Sequence, residues 1–434
     1  MKKGDAIFFG FVLVLNIVLI GLRIKAGTPA ITGDLFSTAL FIVLFLTLIT
    51  LFFFKKYEYY IIVWCSVYFA LSLIKVSDFS IGSLGLLNVV FIPLMLLTLC
   101  NPRDKYFLII ILISIISLFN PAAVGSRLIV SRIFQFIAPF VFFLFVARKC
   151  KNRSLIMKGL IFVVLLNSFL VFYELIYTPV WGVLSDWRGV RVFGNLFHPN
   201  NYSIYLLPVI LLSYFYLRTK PDKKNFLLFS GLLLIDFLTG SRSGILSLVF
   251  GLLIFEILFI KNKKAFMKVF FLLAISILFL LLFFINQDSI NQHLSVSSIG
   301  ERTTIWASYL PFVRNNLLFG NGVGSYELYR DQILLNLASH SYYLGTIFEI
   351  GIVGLLVIFT FLLNLFFGLI KQMRLKQNRE LAALGISVLV GLLVYSTADN
   401  GAFLEVVSLN AWCLLGTCLV LNKEKQVRTG EKNE

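Results

Sequence analysis

Charge is scarce in this sequence. Asp, Glu, Lys and Arg make up 14% of its 434 residues, where soluble chains carry roughly 25%. A soluble globular enzyme and a disordered chain are both excluded on that ground. Cysteine is also rare, with five in all, at Cys65, Cys100, Cys150, Cys413 and Cys418. None forms a C-x-x-C pair near a His, so neither a disulfide framework nor a zinc site is expected. A nucleotide-binding signature is missing too. Gly320-Asn321-Gly322-Val323-Gly324 is glycine-rich, but no strand precedes it and no G-K-[ST] follows, so it reads as a turn. There is no internal repeat of the transporter kind, and the long loops break any symmetry between halves.

What is present is apolar. Hydrophobic residues reach 59%, and the mean hydropathy is +0.92. The apolar runs are continuous rather than alternating, which argues against a β-barrel. A membrane helix needs about 20 apolar residues, and the chain has room for many. The fold expected is all-α, a polytopic integral membrane protein with about 12–14 transmembrane helices and one long extracytoplasmic loop subdomain. Fourteen candidate spans read as 6–22, 35–54, 59–74, 84–100, 106–119, 130–147, 155–177, 201–217, 225–239, 243–260, 266–285, 341–370, 380–397 and 403–421. The short ones allow tilted or broken helices. Met1-Lys2-Lys3 followed by an apolar run resembles a signal peptide, but an uncleaved first span fits the charge alternation better.

The net charge of +17 follows from orientation in the membrane. Cytoplasmic connections carry excess Lys and Arg. Counting connections alternately from inside, one set holds most of the basic residues. It includes Lys55/Lys56, the cluster Arg148 to Arg153, Arg218 to Lys224, Lys261 to Lys268 and Lys371 to Arg379. Both termini are therefore expected in the cytoplasm, and anionic lipid rather than nucleic acid is the expected partner of the charge. The outer face then carries the connections 178–200 and 286–340. The chain divides into N-terminal helices (1–180), a core with those loops (181–370), and C-terminal helices with a cytoplasmic tail (371–434).

The polar residues of interest gather on that outer face. In the second loop, Ser298-Ile299-Gly300-Glu301 fits a capping box, and Ile305, Trp306, Tyr309 and Phe312/Val313 recur at helical spacing. Arg302 shares their face, as on an amphipathic helix at the membrane surface; a snorkelling Arg is the plainer alternative. The loop ends in Ser339-His340-Ser341-Tyr342-Tyr343-Leu344, followed by Glu349-Ile350-Gly351 and Gly354. Histidine is the side chain suited to proton exchange near neutral pH. Glu349 falls about two and a half turns into the expected span, where an ionisable group signals function. The first loop brings Arg188 and Arg191 ahead of Gly194 and a Pro199-Asn200-Asn201 helix start. Paired Arg suits phosphate, unless both are loop charges in water. Thr239-Gly240-Ser241-Arg242-Ser243-Gly244 forms a tight outer turn in which Asp236 can pair with Arg242.

In this order the segments resemble the O-antigen ligase/polymerase family of bacterial envelope glycan assembly. The resemblance rests on Arg191…Gly194…Pro199-Asn200, on Thr239–Gly244, on Glu301-Arg302…Trp306 leading to Gly320–Gly324, and on His340-Ser341-Tyr342-Tyr343-Leu344…Glu349-Ile350-Gly351…Gly354. It covers about residues 185–370. It implies a bacterial inner-membrane enzyme that transfers glycan from a polyprenyl-pyrophosphate-linked oligosaccharide to an acceptor glycan. The transfer it implies is inverting, on the outer face, without metal or cofactor, in company with other glycan-assembly membrane proteins. Arg191 and Arg302 would hold pyrophosphate and His340 would serve the acceptor hydroxyl. Arg188, Arg242, Glu349 and Tyr342 would contact substrate. The Lys, Asn, Ile and Phe usage inclines the reading to a polymerase of O-antigen, capsular or exopolysaccharide repeat units. A ligase acting on lipid A core or protein, or a lipid-linked oligosaccharide flippase, are the alternatives. A transporter should place its polar residues near mid-membrane; here they crowd one face.

Overall fold

The computed structural model describes residues 3–26, 31–32, 35–71, 74–75, 82–101, 104–116, 126–177, 192, 198–259, 297–329, 333, 339–375, 378–400 and 405–419. Among these, helices account for nearly all regular structure. In chain order they are α1 Lys3–Ala26, α2 Leu35–Phe53, α3 Tyr57–Leu71, α4 Gly82–Leu99, α5 Lys105–Ile116, α6 Ser126–Lys149, α7 Arg153–Tyr177, α8 Pro199–Thr219, α9 Lys223–Thr239 and α10 Arg242–Phe259. After them come α11 Ser297–Asn315, α12 Tyr326–Tyr329, α13 Tyr342–Met373, α14 Arg379–Ala398 and α15 Glu405–Cys418. The exception to all-α is a two-residue parallel pair, β1 Ile31–Thr32 with β2 Ile74–Lys75. Thirteen of the fourteen expected spans coincide with a helix; the fourteenth, 266–285, lies outside the described residues. By length and composition α10, α13 and α14 can each cross a membrane, and shorter apolar helical stretches accompany them. The protein is a polytopic helical membrane protein.

The core lies where α6, α8, α14 and α15 meet, around Phe140, Tyr202, Leu392 and Trp412, all fully buried. Small residues set the closest approach. Ser247 and Gly251 on α10, four apart, face Ser387 and Gly391 on α14, also four apart. A Cβ on Gly251 would sit 3.3 Å from the Ser387 carbonyl, and one on Gly391 3.3 Å from the Ser247 carbonyl. Small-xxx-small spacing on both helices lets their backbones pack directly, the usual basis of helix association in lipid.

The bundle has two chemically different ends. At one, Arg218 near the end of α8 pairs with buried Glu256 of α10 at 2.8 Å. Tyr214 donates to the same carboxylate, and Arg379 at the start of α14 reaches the Leu258 carbonyl. A second buried acid, Asp104, pairs with Arg148. Acids at this depth persist because each has a cation or hydroxyl partner. The opposite end collects the starts of α8, α10 and α13 with the ends of α9 and α14. Those are the two ends that charge alternation separates.

One expected span is not a single helix. Within α13, Gly351 takes φ 69° and ψ −176°, a region open essentially to glycine alone. Tyr343 and Phe359 nevertheless stack, with ring centroids 5.8 Å apart. Sixteen residues of continuous helix would separate them by about 24 Å. The segment is therefore two half-helices, 342–350 and 352–373, folded sharply about Gly351. The expectation of one helix over 341–370, with Glu349 deep inside it, is corrected accordingly. Glu349 ends the first half-helix, beside the break.

Candidate functional site

The site is built at the second end of the bundle from three tied segments. The first is α11. Its stripe of Ile305, Tyr309 and Val313 is buried, as the spacing requires, but against Ile333 and Phe348, with Phe312, Tyr326, Tyr329, Leu344 and Ile347 around them. The stripe thus faces protein, where a helix lying on lipid was expected, because the first half-helix of α13 supplies Phe348. Burial, then neighbouring Tyr326 and Glu349, push the Tyr309 phenol well above its ordinary range. It stays a neutral hydroxyl at physiological pH.

The second segment is the glycine turn. Gly320, Gly322 and Gly324 all have positive φ, so the turn reading holds, and its purpose is visible. It fills the break in α13. Asn321 N–H donates to the Phe348 carbonyl and Gly322 N–H to the Glu349 carbonyl, both at 2.8 Å. In return Ile352 N–H reaches Leu317 O at 2.9 Å and Val353 N–H reaches Leu318 O at 3.2 Å. The Glu349 carboxylate accepts from Gly324 N–H at 3.1 Å. Backbone groups freed by the break are thereby satisfied by the turn, as low-dielectric surroundings demand. A Cβ on Gly320 would lie 2.4 Å from the Glu349 carbonyl carbon, and one on Gly351 2.2 Å from Leu318 O.

The third segment carries His340. It adopts φ 46°, an uncommon conformation for any residue other than glycine but one His tolerates better than most. Its neighbours hold it. Trp306, one helical turn after Arg302, donates its indole N–H to the Ser339 carbonyl at 2.7 Å. The buried Ser339 hydroxyl donates to Ser341 O at 2.8 Å and lies 3.2 Å from the Asn400 amide oxygen. Asp399 ends α14; one of its carboxylate oxygens accepts from Asn400 N–H at 2.7 Å, the other from the Asn200 side chain at 2.9 Å. Arg302 and His340 are thus one turn and one residue away from the same indole hydrogen bond.

The 239–244 turn closes the site from α9 and α10. Asp236 is buried and accepts from Ser203 of α8. Thr239 and Ser241 bond to the turn's own backbone, and exposed Arg242 starts α10. Val192, the residue after Arg191 in sequence, donates its N–H to Leu238 O at 3.2 Å, just before this turn. Arg188 and Arg191 themselves lie outside the described residues. α8 starts at Pro199 as expected, with His198 at the cap position, and the Asn200 side chain bonds to Asp399. Tyr342 is buried in the main core. Among the described residues no three His, Cys, Asp or Glu side chains gather as metal ligands.

Sequence reasoning named Arg302 and His340, and quoted Ser339 beside them, but missed Asp399 and Asn400, which hold the Ser339 segment. Asp399-Asn400 after an apolar span was the available signal.

No curated protein matches the chain. Residues 226–359, from α9 through the first turns after the α13 break, match the family model described as O-antigen ligase. That stretch contains Asp236, Arg242, Arg302, Trp306, the glycine turn, His340 and Gly351. Over that stretch, rather less than half of its length, the chain is similar to the O-antigen ligase family.

Proposed function

We propose that the protein polymerises polysaccharide repeat units on the outer face of the bacterial cytoplasmic membrane, with both termini inside. The donor is a polyprenyl-pyrophosphate-linked oligosaccharide. His340 takes the proton of the acceptor hydroxyl as its oxygen attacks the anomeric carbon. The bond from that carbon to the pyrophosphate oxygen breaks, and the sugar inverts. The departing lipid pyrophosphate keeps the electron pair, and Arg302 stabilises its charge, with Arg191 as its partner and Arg188 and Arg242 lending further positive charge. Such a reaction needs a base and charge stabilisation, and pyrophosphate is a good enough leaving group that no metal is required.

The observation that carries this reading is the Trp306–Ser339 hydrogen bond, which ties the helix bearing Arg302 to the segment bearing His340. Glu349 and Tyr342 take structural parts in this scheme, the first holding the glycine turn, the second buried in the core. A ligase uses the same chemistry on a different acceptor. Deletion of the gene separates the two. Loss of the polymerase leaves lipid-linked single repeat units, whereas loss of a ligase leaves long lipid-linked chains; only the first pattern fits polymerisation.

A further inference from the structure

The turn after α11 ends in an apolar tip. Leu317, Leu318 and Phe319 are 47%, 59% and 44% exposed, directly after Arg314-Asn315-Asn316, also exposed. On an aqueous loop three such residues in a row would be costly to keep in water. Their backbone is fixed to the α13 break, through Leu317 O and Leu318 O to Ile352 and Val353 N–H. From that point the second half-helix runs 352–373. Its 22 residues span about 33 Å, close to the roughly 30 Å of a hydrocarbon core. That half-helix suffices to cross the membrane alone, which sets the break, and the tip bonded to it, at the membrane surface. Along it, Ile352, Leu356, Leu363 and Phe367 are exposed at helical spacing and form a lipid-facing stripe. The tip continues that stripe at its outer end, and Leu310 of α11, 44% exposed, extends it.

We infer that Leu317-Leu318-Phe319 is a membrane anchor: the outer subdomain returns to the bilayer at this tip, which inserts among the acyl chains of the outer leaflet, with Arg314 at headgroup level. The occupant of the exposed patch is bilayer lipid. The anchor fixes the height of α11, and so of Arg302, above the hydrocarbon. This inference rests on the fold and, for the leaflet, on the proposed orientation, not on glycan transfer.

Spin-label accessibility tests it. Of the cysteines only Cys100 is exposed, so Cys100→Ser gives a background in which introduced thiols can be labelled. Labels at Leu317→Cys, Leu318→Cys and Asn315→Cys are compared in phosphatidylglycerol/phosphatidylethanolamine vesicles. Positions 317 and 318 should relax preferentially with oxygen, and 315 with a water-soluble nickel chelate. Preferential nickel access at 318 would overturn the anchor. Should labelling disturb insertion, Leu318→Trp read by brominated acyl chains serves instead. Quenching beyond that of the unsubstituted protein is expected, and added fluorescence untouched by brominated lipid would overturn the inference equally.

Discussion

At the residue scale, charge and geometry contribute separately to the site. If Arg302 grips pyrophosphate through its planar fork, a point charge replaces it poorly. Arg302→Lys should weaken use of the lipid donor, raising KM, although the net charge is kept. His340→Ala should slow transfer by about 10²–10⁴, the usual worth of a general base, with donor binding retained and the protein still inserted. Cells carrying it should accumulate lipid-linked single repeat units. Near-normal glycan in those cells would remove His340 from the mechanism. Arg302 and His340 are legible in the sequence as candidates, but their supports are not. A lone His at a loop end and an Arg on an apolar-striped helix are visible in one dimension. The Asn200–Asp399 bond joins residues 199 apart in sequence, and no local pattern carries it.

At the element scale the broken helix is the feature that holds the site's shape. Hydropathy averages across Gly351, so 341–370 looks like one span; the Gly351 dihedrals and the stacking of Tyr343 on Phe359 expose the fold at its centre. The stripe on α11 was equally legible, but its destination was not, since periodicity shows that a face is buried and not against what. Gly351→Ala would force an L-residue into a glycine region, costing at least about 1–2 kcal/mol, and would drive a Cβ into Leu318 O. Its melting temperature in detergent should fall, and the outer subdomain should become sensitive to protease; an unchanged melt would mean that the turn does not pack in the break. Trp306→Phe keeps the ring and removes one hydrogen bond, worth about 0.5–1.5 kcal/mol. We expect a folded protein with reduced turnover and little change in donor affinity.

At the scale of the whole molecule, composition alone gave the class, and charge alternation gives an orientation that experiment has to test. The helix count over 260–296 and the course of the outer loops near Arg188 and Arg191 fall outside the described residues. Orientation is open to a direct check. A thiol at residue 315 should be labelled by an impermeant reagent in intact cells or spheroplasts, and one at 222, in the basic connection between α8 and α9, only after the membrane is opened. The reverse pattern would put Arg302 and His340 in the cytoplasm. The central claim is that these two residues share one transfer, Arg302 at the lipid-linked donor and His340 at the acceptor hydroxyl, and reconstitution tests it most directly. Purified protein in lipid nanodiscs, with a polyprenyl-pyrophosphate-linked repeat unit and a chelator present, is assayed for lengthened glycan and released polyprenyl pyrophosphate, beside His340→Ala and Arg302→Ala. The account predicts both products from the unsubstituted protein, donor binding retained with turnover slowed by about 10²–10⁴ in His340→Ala, and weakened donor binding in Arg302→Ala. Undiminished turnover in His340→Ala, or activity that vanishes with the chelator and returns with Mg²⁺, would contradict it.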